Sequence, residues 1–166
     1  FYLLLVKVLG IVVMDYSRLP NYLAKRLCVA ALLMMTSAWA YEEADFLRVE
    51  KLKRCQNCSL SYVDFEGADL TGVELSGAKL TGAYFAGANL SFANLAGADL
   101  TTASLFEANL SGANLSLANL TAADLNGANL SDADLTGAIL SGADLYGATF
   151  CRTQMPSGEL NDKGCE

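Results

Sequence analysis

The chain has 166 residues, enough for one ordinary domain, and a hydrophobic fraction of 53% that argues against a disordered polymer. It has no histidine and a formal net charge of −7, which removes a common general base and disfavours direct nucleic-acid binding. Much of the apolar content is one N-terminal stretch plus alanine and leucine at fixed intervals, so it does not imply the usual two-layer core.

The N-terminal stretch holds two apolar runs, Phe1 to Val13 and Leu27 to Trp39, separated by a polar segment with Asp15, Arg18, Pro20, Lys25 and Arg26. Each run falls short of the roughly 18 apolar residues that span a bilayer. The second has the parts of a secretory signal: Lys25 and Arg26, an apolar centre from Leu27 to Met35, and the small-x-small site Ala38-Trp39-Ala40. Residues 1–40 are therefore expected to be a leader, cleaved after Ala40 to leave a chain beginning at Tyr41. Met14 stands about one signal length before Ala40, so 14–40 is the expected signal proper and 1–13 lies upstream of the expected start. The alternative is an uncleaved anchor or a buried helix. Lys25 and Arg26 precede Cys28 where a lipoprotein site wants apolar or small residues, so no lipid anchor is expected.

Residues 41–55 carry apolar Phe46, Leu47, Val49 and Leu52 among Glu50, Lys51, Lys53 and Arg54, the pattern of a short amphipathic helix. A frayed segment left by signal cleavage is the bland alternative.

The strongest signal follows. From Leu60, every fifth residue is Leu or Phe, nineteen in all: Leu60, Phe65, Leu70, Leu75, Leu80, Phe85, Leu90, Leu95, Leu100, Leu105, Leu110, Leu115, Leu120, Leu125, Leu130, Leu135, Leu140, Leu145 and Phe150. Two residues earlier stands Ala in sixteen of the nineteen, the exceptions being Cys58, Val63 and Val73; the residue just before the Leu or Phe is most often Asn or Asp. Five steps of a helix rotate by about 140° and five steps of a strand reverse the face, so neither element buries all nineteen. The pattern works only if the backbone bends by a fixed angle in each five, directing every Leu or Phe at one axis. Ala must be small because it enters the same narrow interior. Gly eases the bends, and the polar residues supply groups that bond nearby backbone. A disordered tract would place no demand on leucine spacing.

Units such as Ala-Asp-Leu-Thr-Gly at 68–72 and Ala-Asn-Leu-Ser-Gly at 108–112 resemble the pentapeptide-repeat family, and the likeness covers 56–150. The resemblance implies an all-β fold, a right-handed quadrilateral β-helix with four repeats per coil, Leu or Phe and Ala inward. On that reading there are between four and five coils, on the order of 20 to 25 Å in length. It also implies an exported layout: a capping helix over 41–55, a Cys-x-x-Cys pair, the repeats, and a Cys-terminated tail at 151–166. Cys55, Cys58, Cys151 and Cys165 make an even number in a chain expected to be exported, which favours disulfides. On the family's coil, Cys58 and Cys151 lie near opposite ends of the column, so a shared zinc or a bond between them is excluded. Local pairs are expected, Cys55 with Cys58 and Cys151 with Cys165, the first remaining open.

Residues 41–166 carry seven Lys or Arg against seventeen Asp or Glu, a net of −10. Some cytoplasmic members of the family are acidic DNA mimics that bind a topoisomerase; export would put that target out of reach. On four repeats per coil, Tyr84, Phe106 and Tyr146 share one outward face with Asp124 and Asp144, a candidate surface for a protein partner. Phe92, Leu117 and Ile139 point outward elsewhere. No catalytic, cofactor or metal residues are expected, since no Ser or Cys adjoins a base and the glycine spacings lack the Lys and Ser/Thr of a phosphate loop. The leading expectation is a non-enzymatic scaffold of the periplasm or a thylakoid lumen. The alternatives are a cytoplasmic topoisomerase-binding DNA mimic, or a cation or redox role through surface acids or Cys-x-x-Cys.

Overall fold

The computed structural model describes residues 37–165. Most of the expected leader, including both apolar runs up to Thr36, lies outside them. The described chain opens with helix α1, Ser37–Leu52, which runs across the Ala40–Tyr41 bond. Of the four apolar residues expected on its buried stripe, Phe46 and Val49 are buried, whereas Leu47 and Leu52 are exposed. Helical geometry accounts for the split: 46 and 49 lie about 60° apart, while 47 and 52 fall on either side of that stripe.

Beyond α1 the backbone repeats one unit every five residues. Seventeen parallel β-bridges run from Arg54↔Glu74 to Asp134↔Gln154, and each joins residues twenty apart. A coil is thus four pentapeptides. The bridges stay isolated because each unit turns again before a strand can extend. The strands among the described residues are β1, Thr153–Gln154, and β2, Leu160–Asn161, antiparallel in the C-terminal tail.

One repeat shows why these residue types build the coil. Ala98 N–H donates to Leu95 O at 3.0 Å, closing a turn; Asp99 N–H reaches back to Ala78 O at 2.9 Å; Leu100 and Thr102 N–H reach forward to Asn119 O and Thr121 O at 2.8 and 2.9 Å. Thr101 N–H has no ladder partner and donates instead to Asp99 Oδ1 at 3.1 Å. All five donors are paired, as buried backbone requires. The same side-chain acceptance occurs at every Asn or Asp preceding a core Leu or Phe, from Asp64 to Asp144.

Inside, the core residues from Leu60 to Leu135, and Phe150, are buried, and most preceding alanines are buried with them. Phe46 of α1 stacks on Phe65 at 5.3 Å, and Phe65 on Phe85 one coil later at 5.6 Å, so an aromatic column ties the helix to the interior. Leu140 and Leu145 are only half-buried. They belong to the last coil, where the tail crosses Phe150, whose N–H donates to Lys163 O at 2.9 Å. Among the described residues nothing accepts from the amides of Leu140, Gly142, Leu145 and Gly147.

Each turn needs one residue with positive φ, which glycine supplies at many corners; Gly97 has φ 64° and open space where a Cβ would stand. Ala122 occupies the same place at φ 55°. Gly97→Ala should therefore lower stability by about 1 kcal/mol and Ala122→Gly raise it by a comparable or smaller amount, read as opposite shifts of the urea midpoint. Shifts in the same direction would contradict this origin of the glycines.

Candidate functional site

The coil places Tyr84, Ser104, Asp124 and Asp144 in one column, bridged in succession. Phe106 and Tyr146 lie two residues on, at the neighbouring corner: Phe106 O accepts from Gly87 N–H at 2.8 Å and Tyr146 O from Gly127 N–H at 2.9 Å. Phe106 and Tyr146 are forty residues and two coils apart, about 10 Å along the axis. Of the five sequence-selected face residues, Tyr84, Asp124 and Asp144 thus share a bridged column, and Phe106 and Tyr146 follow that column by two residues. Tyr84, Phe106 and Tyr146 are exposed, as is Asp144, while Asp124 is half-buried. Asp144 Oδ1 accepts Tyr146 N–H at 2.9 Å and Asp124 Oδ1 accepts Asn126 N–H at 3.0 Å. Asp144 thus also fixes the backbone that carries the Tyr146 ring. Apolar rings flanked by carboxylates suit a partner with cationic and apolar groups. Phe92, Leu117 and Ile139 are exposed on other columns.

At the N-terminal end, Cys55 and Cys58 form a disulfide with Cα atoms 5.4 Å apart. Beside it lies Asp45 of α1, only 1% exposed. Its carboxylate accepts Ser59 N–H and Arg48 Nη1, each at 3.1 Å, so one acid pins the helix to the first turn. Its main-chain oxygen is 3.3 Å from Cys55 Sγ, a packing contact, since a disulfide sulfur has no proton to donate. Sequence reasoning missed Asp45. Its sole outward mark is a carboxylate beside the first residue of an apolar stripe, and its partners lie up to fourteen residues away. The ligand atoms of Asp45, Cys55 and Cys58 lie within 4.8 Å of one another, but the two sulfurs are joined. A cavity of about 480 Å³ adjoins the pair, lined by Arg48, Arg54, Cys55, Gln56, Cys58 and Glu74.

At the other end, Cys151 and Cys165 form the second disulfide, which closes the tail. Arg152 grips Asp132 of the preceding coil with two bonds, 2.6 and 2.7 Å, and holds its carboxyl below the usual carboxylate range. Both groups are solvent-exposed, so the pair fixes geometry more than it adds stability.

Along the coil, hydrogen bonds from the Thr101 hydroxyl, and secondarily from Thr101 N–H and Thr81, hold the Asp99 carboxyl below its ordinary value against the opposing effect of burial. A depressed carboxyl stabilises the fold above its unfolded value, about 3.9, and that contribution is lost as pH falls through the lower folded value. Thr101→Val should raise the Asp99 titration midpoint in carbon-detected NMR. An unchanged midpoint would remove the hydroxyl as cause.

The profile of the family described as pentapeptide repeats matches this sequence in eight copies over residues 54–85, 83–121 and 113–152. Among solved structures, a pentapeptide repeat protein from the Arabidopsis thaliana thylakoid lumen is 41% identical, with 60% of this chain and 68% of that one covered and a TM-score of 0.56. A pentapeptide repeat protein from Nostoc is 30% identical over 64% of this chain and 73% of that one, with a TM-score of 0.44. QnrB1, a plasmid-mediated fluoroquinolone resistance protein, is 25% identical over 61% of this chain and 62% of that one, also at 0.44. Among curated proteins none matches the chain.

Proposed function

Because the chain belongs to the pentapeptide-repeat family, we propose that it is an exported, non-enzymatic scaffold that holds a protein partner on the face of Tyr84, Phe106 and Tyr146. The solenoid is a right-handed quadrilateral β-helix over 56–150. Residues 41–55, mostly within α1, cap one end, and the disulfide-closed tail at 151–166 caps the other. The observation that carries the reading is the alignment of three exposed aromatic side chains with Asp124 and Asp144 on one side of a rigid column. Rigidity favours such a face, because little entropy is lost when it binds.

Export rests on three supports. The signal-like residues end at Ala40, the four cysteines that follow it form two bridges, and a relative of 41% identity comes from a thylakoid lumen. The compartment is a periplasm or such a lumen. In either, a topoisomerase is not the partner.

N-terminal sequencing of the expressed protein should begin at Tyr41; a cytoplasmic protein that retains Ala40 and its upstream residues sinks the export reading. For the face, a photo-crosslinker at Phe106 in cells should capture a protein. Tyr84→Ser together with Tyr146→Ser should reduce that capture about tenfold while leaving the urea midpoint within about 0.5 kcal/mol, as exposed positions allow. Undiminished capture would reject the face.

A further inference from the structure

We propose that the Cys55–Cys58 bridge is a thiol–disulfide exchange site, the one of the two bridges among the described residues that a protein dithiol opens. Three observations converge on it. Both cysteines are nearly buried, at 3% and 4% exposure, yet both line the 480 Å³ cavity, which opens to solvent beside them. The cavity is lined by Arg48, which is paired with Asp45, and by exposed Arg54, and a cation beside a sulfur stabilises the thiolate that leaves it. The carboxylate of buried Asp45 lies within 4.8 Å of both sulfurs, a proton acceptor at the place where thiols would lose and regain protons.

Packing alone asks for none of this. Cys58 occupies the inward position that Ala fills in sixteen of nineteen repeats, where a small side chain suffices. The bridge spans a sequence separation of 3, so opening it frees almost no chain, and the Phe46–Phe65 stack and the Asp45–Ser59 bond still hold the helix. The other bridge differs in its span and its exposure. It spans a separation of 14 and secures the tail, and Cys165 is exposed. Among the described residues no carboxylate joins Cys151 and Cys165 in a comparable cluster.

The exchange balances without a further oxidant. A thiolate of the partner dithiol attacks one sulfur of the bridge, forming a mixed disulfide as the Cys55–Cys58 bond breaks and its electron pair leaves on the other sulfur. The partner's second thiol gives up its proton to Asp45 or water and attacks the partner's first sulfur, breaking the mixed disulfide; that electron pair leaves on the cysteine of this chain, and the partner ends as a disulfide. Both thiolates of this chain then take up protons. Two electrons and two protons have moved from the dithiol to the chain.

The test uses the full oxidised chain, a thioredoxin-type protein dithiol, dithiothreitol as small-molecule control, timed alkylation, and mass mapping of each cysteine. With the protein dithiol, Cys55 and Cys58 should be labelled at least about tenfold faster than Cys151 and Cys165 while the far-ultraviolet dichroism stays constant. Arg54 is exposed, so Arg54→Gln should leave the fold intact, slow the exchange about threefold to tenfold, and move its rate profile to higher pH. Asp45→Asn keeps an acceptor for Ser59 N–H and should also slow exchange. Equal or faster opening of Cys151–Cys165, labelling of Cys55 and Cys58 only as the chain unfolds, or an Arg54→Gln protein with unchanged rate and pH profile overturns the proposal.

Discussion

The coil depends on a set of hydrogen bonds that recurs every five residues. Of the five amides in the repeat at 98–102, three join neighbouring coils, one closes a turn, and one is taken by the side chain of the residue before the core leucine. The turn aims Leu inward, and Ala two residues earlier leaves room for it. If the side-chain acceptor is lost, an amide must face solvent; if the leucine is lost, the coil has no filling. Neither repeat nor coil is stable by itself, because each ladder bond is made to a neighbour.

This dependence explains what could be read from the amino acids. Leu at every fifth position from Leu60 excluded helix and strand by geometry, and Asn and Asp before it were legible as backbone acceptors. The twenty-residue coil was not legible from spacing alone. All four sides of a coil impose the same demand, so Asn89, Asn109 and Asn129 of one column look no different from Asn94 and Asn114 of another. Nor did the sequence reveal that Leu140 and Leu145 would be half-covered, since their environment is set by which sides the tail crosses. Asp45 was hidden for a related reason. Its partners Ser59 and Cys55 approach only when α1 lies across the first turn, a juxtaposition with no local mark.

The faces and the ends serve different ends chemically. Along the sides, uniform coils leave only the outward positions free to vary, and there Tyr84, Phe106 and Tyr146 replace the small polar residues common elsewhere. At the ends the repeat stops satisfying itself and other devices appear: a helix stacked through Phe46, a buried acid, two disulfides, and a bidentate Arg152–Asp132 pair. The chain's cysteine chemistry in the described region is therefore confined to its termini. The exposed aromatic side chains Tyr84, Phe106 and Tyr146 lie along its length.

The central claim is that residues twenty apart are neighbours on one column. Cysteine-pair crosslinking tests it most directly. Thr101 and Thr121 occupy the same place on consecutive coils, with Thr102 N–H bonded to Thr121 O, whereas Ser111 lies half a coil from each. Under mild oxidation, Thr101→Cys with Thr121→Cys should form a disulfide rapidly, within the Cα separation such a bond allows, and Thr101→Cys with Ser111→Cys should not. Efficient pairing at the ten-residue spacing, or none at twenty, would contradict the coil.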